Sequence, residues 1–265
     1  MSDQLIRLTF FITGLVGFSL LEFLTSYRQR NLKRVERWPA NLALIAVGTL
    51  LVKIVLPSGL IFLSDYIQHN QWGFLNFFNF NSVVLLVFTL ALMDFSIYIQ
   101  HIIFHKIGFF WRFHRVHHAD IDLDTTSALR FHPIEILFSI FYKIIVILLL
   151  GASAESIFIF EILLNFTAMF NHSNIKLPKF LETLIRLIIV TPQMHIVHHS
   201  VLKEESDTNY GFNFSFWDRL FHTYQADFKG SDLVGQEYYR SANEHGILAL
   251  LALPFKPLKL LRKSK

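Results

Sequence analysis

The chain has no cysteine, so it offers neither a disulfide nor a thiolate metal ligand. It is also poor in charge, because Asp, Glu, Lys and Arg make up 17% of its 265 residues where a soluble domain carries roughly 25%. Any transition metal must therefore be held by imidazole and carboxylate groups. Long apolar runs replace the missing charge and favour a protein embedded in a bilayer. The net charge of +4 is modest, and we expect no nucleic-acid partner.

Five apolar segments approach the length of about 20 residues that a helix needs to cross a bilayer. They are Leu5 to Leu24, Ala40 to Leu63, Ser82 to Gln100, Ile134 to Leu150 and Ser156 to Asn171. The last two are joined by residues 151–155 and predict a helical hairpin. The first is too long for a cleavable signal and has no small-residue cleavage site after it, so we interpret it as a retained span. The fold class expected is an all-α integral membrane protein with four to five transmembrane helices.

Lysine and arginine in the connecting segments predict one orientation. Residues 28–37 read RQRNLKRVER and are strongly basic, whereas residues 64–81 contain neither lysine nor arginine. Because short basic loops stay in the cytoplasm, the first segment should be cytoplasmic and the second should face outward. The segments after the third and fifth spans then also lie in the cytoplasm.

Three regions follow from this pattern. Residues 1–80 predict an N-terminal pair of transmembrane helices, and residues 81–230 predict a catalytic domain that holds most of the histidines. Residues 231–265 predict a basic cytoplasmic tail. Its apolar run from Gly246 to Leu261 is interrupted by Pro254 and Pro257, so we expect this tail to lie on the membrane surface.

Histidine is the residue type that most needs an explanation, since the chain has thirteen. The predicted topology places nine of them on the cytoplasmic side in four groups: His101 and His105 in HxxxH, His114, His117 and His118 in HxxHH, His172 alone, and His195, His198 and His199 in a second HxxHH. Residues three and four apart share a helix face with Cβ atoms ~5–6 Å apart, close enough to bind one ion or two adjacent ions. Two metals with four or five nitrogens each take about eight to ten imidazoles. Nine histidines therefore indicate a dinuclear site.

The residues before the second HxxHH motif predict where its helix begins. Thr191 suits the N-cap of a helix and Pro192 suits its first position. His195, His198 and His199 should then lie in the opening turns of a cytoplasmic helix.

Two polar stripes at helical spacing approach the histidines: Asp94, Tyr98, His101 and His105 in the third span, and Glu161, Asn165, Ala168 and His172 in the fifth. Carboxylates inside a membrane are costly and usually functional. Metal-bound imidazoles usually donate their second nitrogen to such acceptors, so we expect Asp94, Glu161 and Asn165 to support the histidines. A simpler alternative is that the two acids pair with lysines such as Lys143 between helices.

Other polar residues carry weaker predictions. His132 precedes a span and could bind metal, support a ligand or anchor the interface. His69 and His245 are interpreted as solvated, and His222 as structural. The acidic run at residues 120–124 is most simply a solvated loop.

The histidine layout and its flanking residues resemble the fatty acid hydroxylase and sterol desaturase superfamily of membrane di-iron oxygenases. The resemblance runs from about Asp94 to Tyr224. Its motifs are Asp94-x3-Tyr98-x2-His101-x3-His105, FHRVHH at 113–118, RFHPIE at 130–135, FNHSN at 170–174, TPQMHIVHH at 191–199, NYG at 209–211 and WDRLF at 217–221. Several separate motifs in the family's order make the match specific.

The resemblance implies a helical membrane fold whose cytoplasmic cap closes over two iron ions. It implies O2-dependent hydroxylation or desaturation of a lipid, with electrons from a separate ferredoxin- or cytochrome-type donor and its NAD(P)H reductase. All nine grouped histidines carry over as iron ligands. The chain departs from the family in having Ala168 where a second histidine often stands, His222 where glycine is common and Ile102 where a basic residue is frequent. The first departure leaves one metal's fifth ligand to His132, Asn165 or water.

Two other functions compete with the oxygenase. A zinc-dependent membrane lipid hydrolase would need a general base beside its metal-bound water. The chain has no HExxH motif, so Glu161 would have to serve. A haem carrier would need histidine pairs that face each other across spans, and a metal transporter would need ionisable residues through the bilayer. The clustering of histidines beyond the span ends favours the oxygenase.

Overall fold

The computed structural model describes residues 2–257, and within them the chain is helical, with isolated bridges in place of strands. Its helices are α1 (Asp3–Leu24), α2 (Arg34–Val55), α3 (Gly59–His69), α4 (Ser82–Lys106), α5 (Gly108–His118), α6 (Pro133–Leu150), α7 (Ala154–His172), α8 (Lys179–Ile185), α9 (Pro192–His198), α10 (Lys203–Ser206), α11 (Phe216–Leu220) and α12 (Ile247–Ala252). Residues 258–265, the last eight residues of the expected membrane-surface tail, lie outside the described residues.

Five segments are long and apolar enough to cross a membrane: Asp3–Leu24, Arg34–Phe77, Ser82–Lys106, Pro133–Leu150 and Ala154–His172. Each contains one predicted span. The second differs most, because its helix stops at Val55 before Pro57, which has no backbone N–H to donate, and resumes at Gly59. The third continues beyond the predicted end at Gln100 to Lys106, which places two histidines in its last turns.

The bundle has an apolar surface and a partly polar interior, as expected for a protein surrounded by lipid. Leu20, Leu50, Val83 and Leu149 expose 60–67% of their surface. Arg37, in contrast, is fully buried. Since a soluble protein rarely exposes so much contiguous apolar surface, this distribution agrees with the five candidate spans.

Helix α7 runs through the bundle and ends at His172, at the end where the clustered histidines lie. It packs against α1, α3 and α4 along its length and against α9 beyond the spans. At the opposite end, Gly151 ends α6 with φ of +72°, and a Cβ atom at Gly73 would collide with its backbone. Only a residue without a side chain permits that approach. The segment between α3 and α4 therefore packs tightly against the turn between α6 and α7, at the end away from the histidines.

The acidic run at residues 120–124 is buried, so its prediction as a solvated loop was wrong. Arg37 of α2 donates two hydrogen bonds to the carboxylate of Asp120, at 2.8 and 2.9 Å, and one to Asp124 at 2.8 Å. The carboxylate of Asp122 accepts the backbone N–H groups of Asn31 and Leu32. Each acid is buried because it has a donor from the α1–α2 region, and a buried charge requires such a partner.

His245 is also buried, which corrects its expected exposure, whereas His69 is exposed as predicted. The Nε2 atom of His245 donates to the carbonyl of Tyr239 at 3.1 Å, and its Nδ1 accepts from Arg130 at 2.9 Å. These bonds join the segment before α12 to the middle of the chain. Helix α12 itself packs against α2.

Candidate metal centre

The structure brings the nine clustered histidines together in two adjacent groups. The five-histidine group contains His101, His105, His114, His118 and His198, and the four-histidine group contains His117, His172, His195 and His199. Within each group, one nitrogen from every ring lies within 4.8 Å of all the others. All nine side chains are buried.

Each HxxHH motif contributes to both groups. In α5, His114 and His118 belong to the five-histidine group, while His117 belongs to the other. In the second motif, His198 belongs to the five-histidine group, while His195 and His199 belong to the four-histidine group. On a helix, residues i and i+4 project on one side of a line and residue i+3 on the other, so one motif can serve two neighbouring ions.

Helix α9 begins with a capping hydrogen bond to its N-cap residue. The hydroxyl of Thr191 accepts the N–H of Met194 and Pro192 occupies the first turn, which confirms the predicted start of this helix. The helix is seven residues long and ends at His198. Its two turns are enough to present the histidines of the second motif.

In the four-histidine group the Nε2 atoms face one another. His172 Nε2 lies 3.0 Å from His117 Nε2 and 3.1 Å from His195 Nε2, and His199 Nε2 lies 3.2 Å from that of His195. The Nδ1–H of His172 donates to the carbonyl of Ala168 at 2.8 Å, which leaves a lone pair on Nε2. Lone pairs that converge in this way fit a shared cation.

The five-histidine group is oriented by acceptors behind its rings. Nδ1 of His101 donates to the Tyr210 carbonyl at 2.9 Å, and Nδ1 of His198 donates to the Thr208 carbonyl at 2.7 Å. Nδ1 of His114 lies 2.6 Å from Oε1 of Glu135. In each ring Nε2 is left to face the site.

Two of these Nε2 atoms, in His114 and His198, are buried without a hydrogen-bond partner among the described residues. Leaving a buried polar atom unpaired costs about 1–3 kcal/mol, which a bound metal ion would offset. The donor set therefore fits two metal ions held by imidazole.

Burial keeps the histidines outside the membrane spans neutral. It lowers the pKa of His114 to about 3. Burial first, and neighbouring imidazoles second, hold the pKa well below its usual value in His117, His118, His195, His198 and His199. Because a metal binds only the neutral ring, these shifts leave the nitrogens available at neutral pH.

Asp94 supports the site indirectly. Its carboxylate accepts the N–H groups of Asn213 and Phe214 at 3.2 Å and the indole N–H of Trp217 at 2.8 Å. These residues follow Tyr210, whose carbonyl orients His101. Asp94 thus fixes the segment that positions a ligand and makes no hydrogen bond to a histidine itself.

Glu161 and Asn165 do not reach the histidines. The Glu161 carboxylate is 2.6 Å from the guanidinium of Arg7 and 3.6 Å from the ammonium of Lys143, so the ion-pair alternative describes it correctly. Asn165 donates to the Glu161 carbonyl at 2.8 Å. Both side chains lie deeper in the bundle and are engaged there.

His132 and His222 lie outside both groups. Nδ1 of His132 accepts the N–H of Ile134 as the N-cap of α6, and its Nε2 lies 3.3 Å from the carbonyl of Leu251. Both ring nitrogens therefore face partners outside the two histidine groups. His222 is exposed with φ of +58°, a conformation that suits glycine better.

Glu135 is the supporting residue that the sequence interpretation missed. It is buried in the first turn of α6, and its second carboxylate oxygen has no hydrogen-bond partner among the described residues. A carboxylate at the edge of an apolar span, inside the RFHPIE motif, was the available signal. The carbonyls of Thr208 and Tyr210 were not predictable, because backbone acceptors leave no mark in the sequence.

A cavity of about 190 Å³ opens from the five-histidine group into the bundle. His101 and His114 line one end, and Lys143 and Asn165 also line it. Its walls are largely apolar and include Ile97, Phe104, Ile140, Leu164 and Phe212. Such a cavity suits a lipid chain.

Residues 86–223, just over half of the chain and all nine clustered histidines, match the profile of the fatty acid hydroxylase family. An ornithine lipid hydroxylase from Rhizobium tropici is 32% identical over 170 residues, which are 64% of this chain and 50% of that protein. An alkylglycerol monooxygenase from Caenorhabditis elegans is 31% identical over 53% of this chain and 27% of its own length. A human cholesterol 25-hydroxylase is 25% identical over 52% and 50%.

The aligned region thus spans half or less of the length of these relatives. No solved structure matches the chain significantly. The family profile and the histidine geometry coincide on the same residues. The chain belongs to the fatty acid hydroxylase family.

Proposed function

We propose that the chain is a membrane di-iron oxygenase that uses O2 and externally supplied electrons to hydroxylate or desaturate a lipid. The observation that carries the proposal is the pair of all-imidazole groups beside an apolar cavity within the bundle. The relatives support it, because their names describe hydroxylases or monooxygenases of an ornithine lipid, alkylglycerols and cholesterol.

The geometry disfavours the two competing functions. For a hydrolase, Glu161 would have to act as general base, but it is paired with Arg7 away from the histidines. A haem carrier would need its histidines separated by the porphyrin, whereas the ring nitrogens of each group converge within 4.8 Å.

Two iron ions would be held by the five- and four-histidine groups and would supply the activation of O2 and the oxidation of a C–H bond. The protein's contribution is orientation. Glu135 holds the Nδ1 proton of His114, and backbone carbonyls do the same for His101 and His198, so the Nε2 lone pairs of these three rings point into the site. The apolar cavity excludes water and directs hydrocarbon toward His101 and His114.

We also propose that the metal centre faces the cytoplasm. The basic segment at residues 28–37 is tied to the same end of the bundle as the histidines. Arg28 accepts through its carbonyl from Asn174, two residues after His172, and Asn31 donates to Asp122. By the positive-inside rule this end is cytoplasmic, where a ferredoxin- or cytochrome-type donor and its NAD(P)H reductase could deliver electrons.

The proposal is tested on detergent-purified protein grown with ⁵⁷Fe, by metal analysis and Mössbauer spectroscopy. We expect two coupled iron ions per chain, lost in a His198→Ala/His199→Ala variant and kept in a His69→Ala control. Supplied with lipid extract, reductant and O2, the wild type should yield lipids that have gained one oxygen or lost two hydrogens by mass spectrometry. Stoichiometric zinc without iron under iron-replete growth would overturn the proposal and favour the hydrolase.

A further inference from the structure

Lys143 places an ammonium group on the wall of the apolar cavity. Its side chain is 11% exposed, and its Nζ makes no hydrogen bond among the described residues. Its one ion pair is with Glu161, at a long 3.6 Å. An ammonium has three N–H donors, and leaving them unpaired in an apolar environment is unfavourable.

Glu161 does not neutralise Lys143 fully, because it already has a closer partner. Its other carboxylate oxygen lies 2.6 Å from the guanidinium of Arg7, which also packs over the ring of Phe158. Two cations therefore share one carboxylate. The Lys143 ammonium is therefore only partly neutralised and keeps unused hydrogen-bond donors at the cavity wall.

The cavity wall between Lys143 and the histidines is also polar on one side. Glu135, Ser139 and Lys143 follow one another at intervals of four along α6, and all three line the cavity. Ser139 accepts from the amide of Gln100 at 2.6 Å, and the amide oxygen of Gln100 is buried without a partner. A purely hydrocarbon ligand would leave these groups unsatisfied.

We propose, on the basis of the function proposed above, that Lys143 is a specificity-determining residue that binds an oxygen acceptor of the lipid substrate. The acceptor is a hydroxyl, carbonyl or carboxylate oxygen at one end of an amphiphile. Glu135 contacts His114 and lies two helical turns from Lys143, so the acceptor lies about 12 Å along α6 from the metal-binding end. The hydrocarbon between the two points is what reaches His101 and His114. Saturated hydrocarbons and carotenes, which lack such an oxygen, are excluded as substrates.

Binding to metal-free protein tests this inference without turnover. Tritiated hexadecane, hexadecan-1-ol and palmitic acid are measured against the wild type, Lys143→Met and a Lys53→Met control, whose lysine is exposed on α2. We expect the wild type to bind the alcohol and the acid at least tenfold more tightly than hexadecane. Lys143→Met should lose that preference while keeping its affinity for hexadecane, since a hydrogen bond to a charged group is worth about 10-fold or more in affinity.

Folding of the variant is expected, because Glu161 remains paired with Arg7. Lys143→Arg should restore most of the preference. Equal binding of hexadecane and the alcohol by the wild type, or an unchanged preference in a folded Lys143→Met, would overturn the inference. If the wild type oxidises lipids and Lys143→Met leaves the binding preference unchanged, this inference alone is wrong. If the wild type binds the alcohol and the acid selectively but holds no iron and oxidises no lipid, only the proposed function is wrong.

Discussion

Two buried polar clusters lie side by side at the metal-binding end, and they are completed in different ways. The arginine cluster consists of Arg37, Asp120, Asp124, Arg130 and His245, and its members satisfy one another. The histidine groups are paired only on their outer side, where Glu135 and backbone carbonyls hold Nδ1 atoms. Several inward-facing nitrogens face each other at 3.0–3.2 Å or lack a partner among the described residues. One cluster is complete in the protein alone, and the other leaves converging nitrogens that fit an ion.

A hydrogen bond joins the two clusters. Arg130 donates from Nε to the carbonyl of Val116, which lies between His114 and His117 on α5. Burial alone would raise the pKa of Asp120, but the guanidiniums of Arg37 and Arg130 hold it below its usual value, so the acid stays ionised. The arginine cluster should therefore govern the stability of the fold with or without metal, whereas the histidines should govern metal content.

The largest effect is expected for His199→Ala, which removes one of the four proposed ligands in its group. Iron should fall from two to one per chain or fewer, and activity should fall by more than the roughly 10–100-fold typical of residues behind the ligands. Metal analysis and product mass spectrometry measure both. His222→Ala is the matched control, since that histidine is exposed. Retention of both irons in His199→Ala would contradict the grouping.

Arg37→Met should destabilise the protein by about 3–5 kcal/mol, because it leaves Asp120 and Asp124 buried without their main partner. The loss should appear equally in metal-free and iron-loaded protein when thermal unfolding is followed in detergent. Adding Asp120→Asn and Asp124→Asn should recover part of it. A variant that unfolds like the wild type when metal-free would remove the contrast between the clusters.

His245 should make the arginine cluster sensitive to acid. Burial, and then Arg130, lowers its pKa to about 4 from 6.5, so the unfolded chain takes up a proton before the folded protein does. The stabilisation is complete above pH 6.5 and is lost as the pH falls toward 4, by up to about 3 kcal/mol. Unfolding of metal-free His245→Gln across this range should show a shallower pH dependence than the wild type. Identical slopes would contradict the prediction.

Glu135→Gln should weaken iron binding by roughly 10–100-fold, because the amide orients His114 less strongly than the carboxylate does. Competition with a chelator measures the affinity. Glu155→Gln, at an exposed position in the first turn of α7, provides the control. Equal affinities in the two variants would show that Glu135 does not act on the metal through His114.

The smallest effect is expected for His132→Ala, which loses the N-cap of α6 and about 0.5–2 kcal/mol of stability while keeping both irons. His132→Asn should recover the stability, since asparagine can cap the same helix. Loss of iron in either variant would identify His132 as a ligand after all.

Local periodic signals explain what could be predicted from the sequence. The spans depend on runs of apolar residues, and the start of α9 depends on Thr191 and Pro192, which act on their own neighbours. The histidine spacing acts in the same way, because it is a property of single helices. The division of each motif between two ions was left open, since it depends on how α5 and α9 approach each other.

The burial of charged residues could not be predicted, because it depends on partners that are distant in the sequence. Arg37 and Asp120 are 83 residues apart, and Arg7 and Glu161 are 154 apart. An acidic run such as residues 120–124 has the composition of a solvated loop, and only the arrival of Arg37 makes burial favourable. The same holds for His245, whose burial depends on Arg130.

The division of each HxxHH motif between the two groups also sets when the two histidine groups are completed during synthesis of the chain. A ribosome that has delivered residues 1–194 has supplied all five candidate spans but only two of the four proposed ligands of the four-histidine group. Residues 195–199 complete both groups at once. Binding of both proposed ions would therefore follow insertion of the spans, and the ions would join the short buried helix α9 to a bundle already in the membrane.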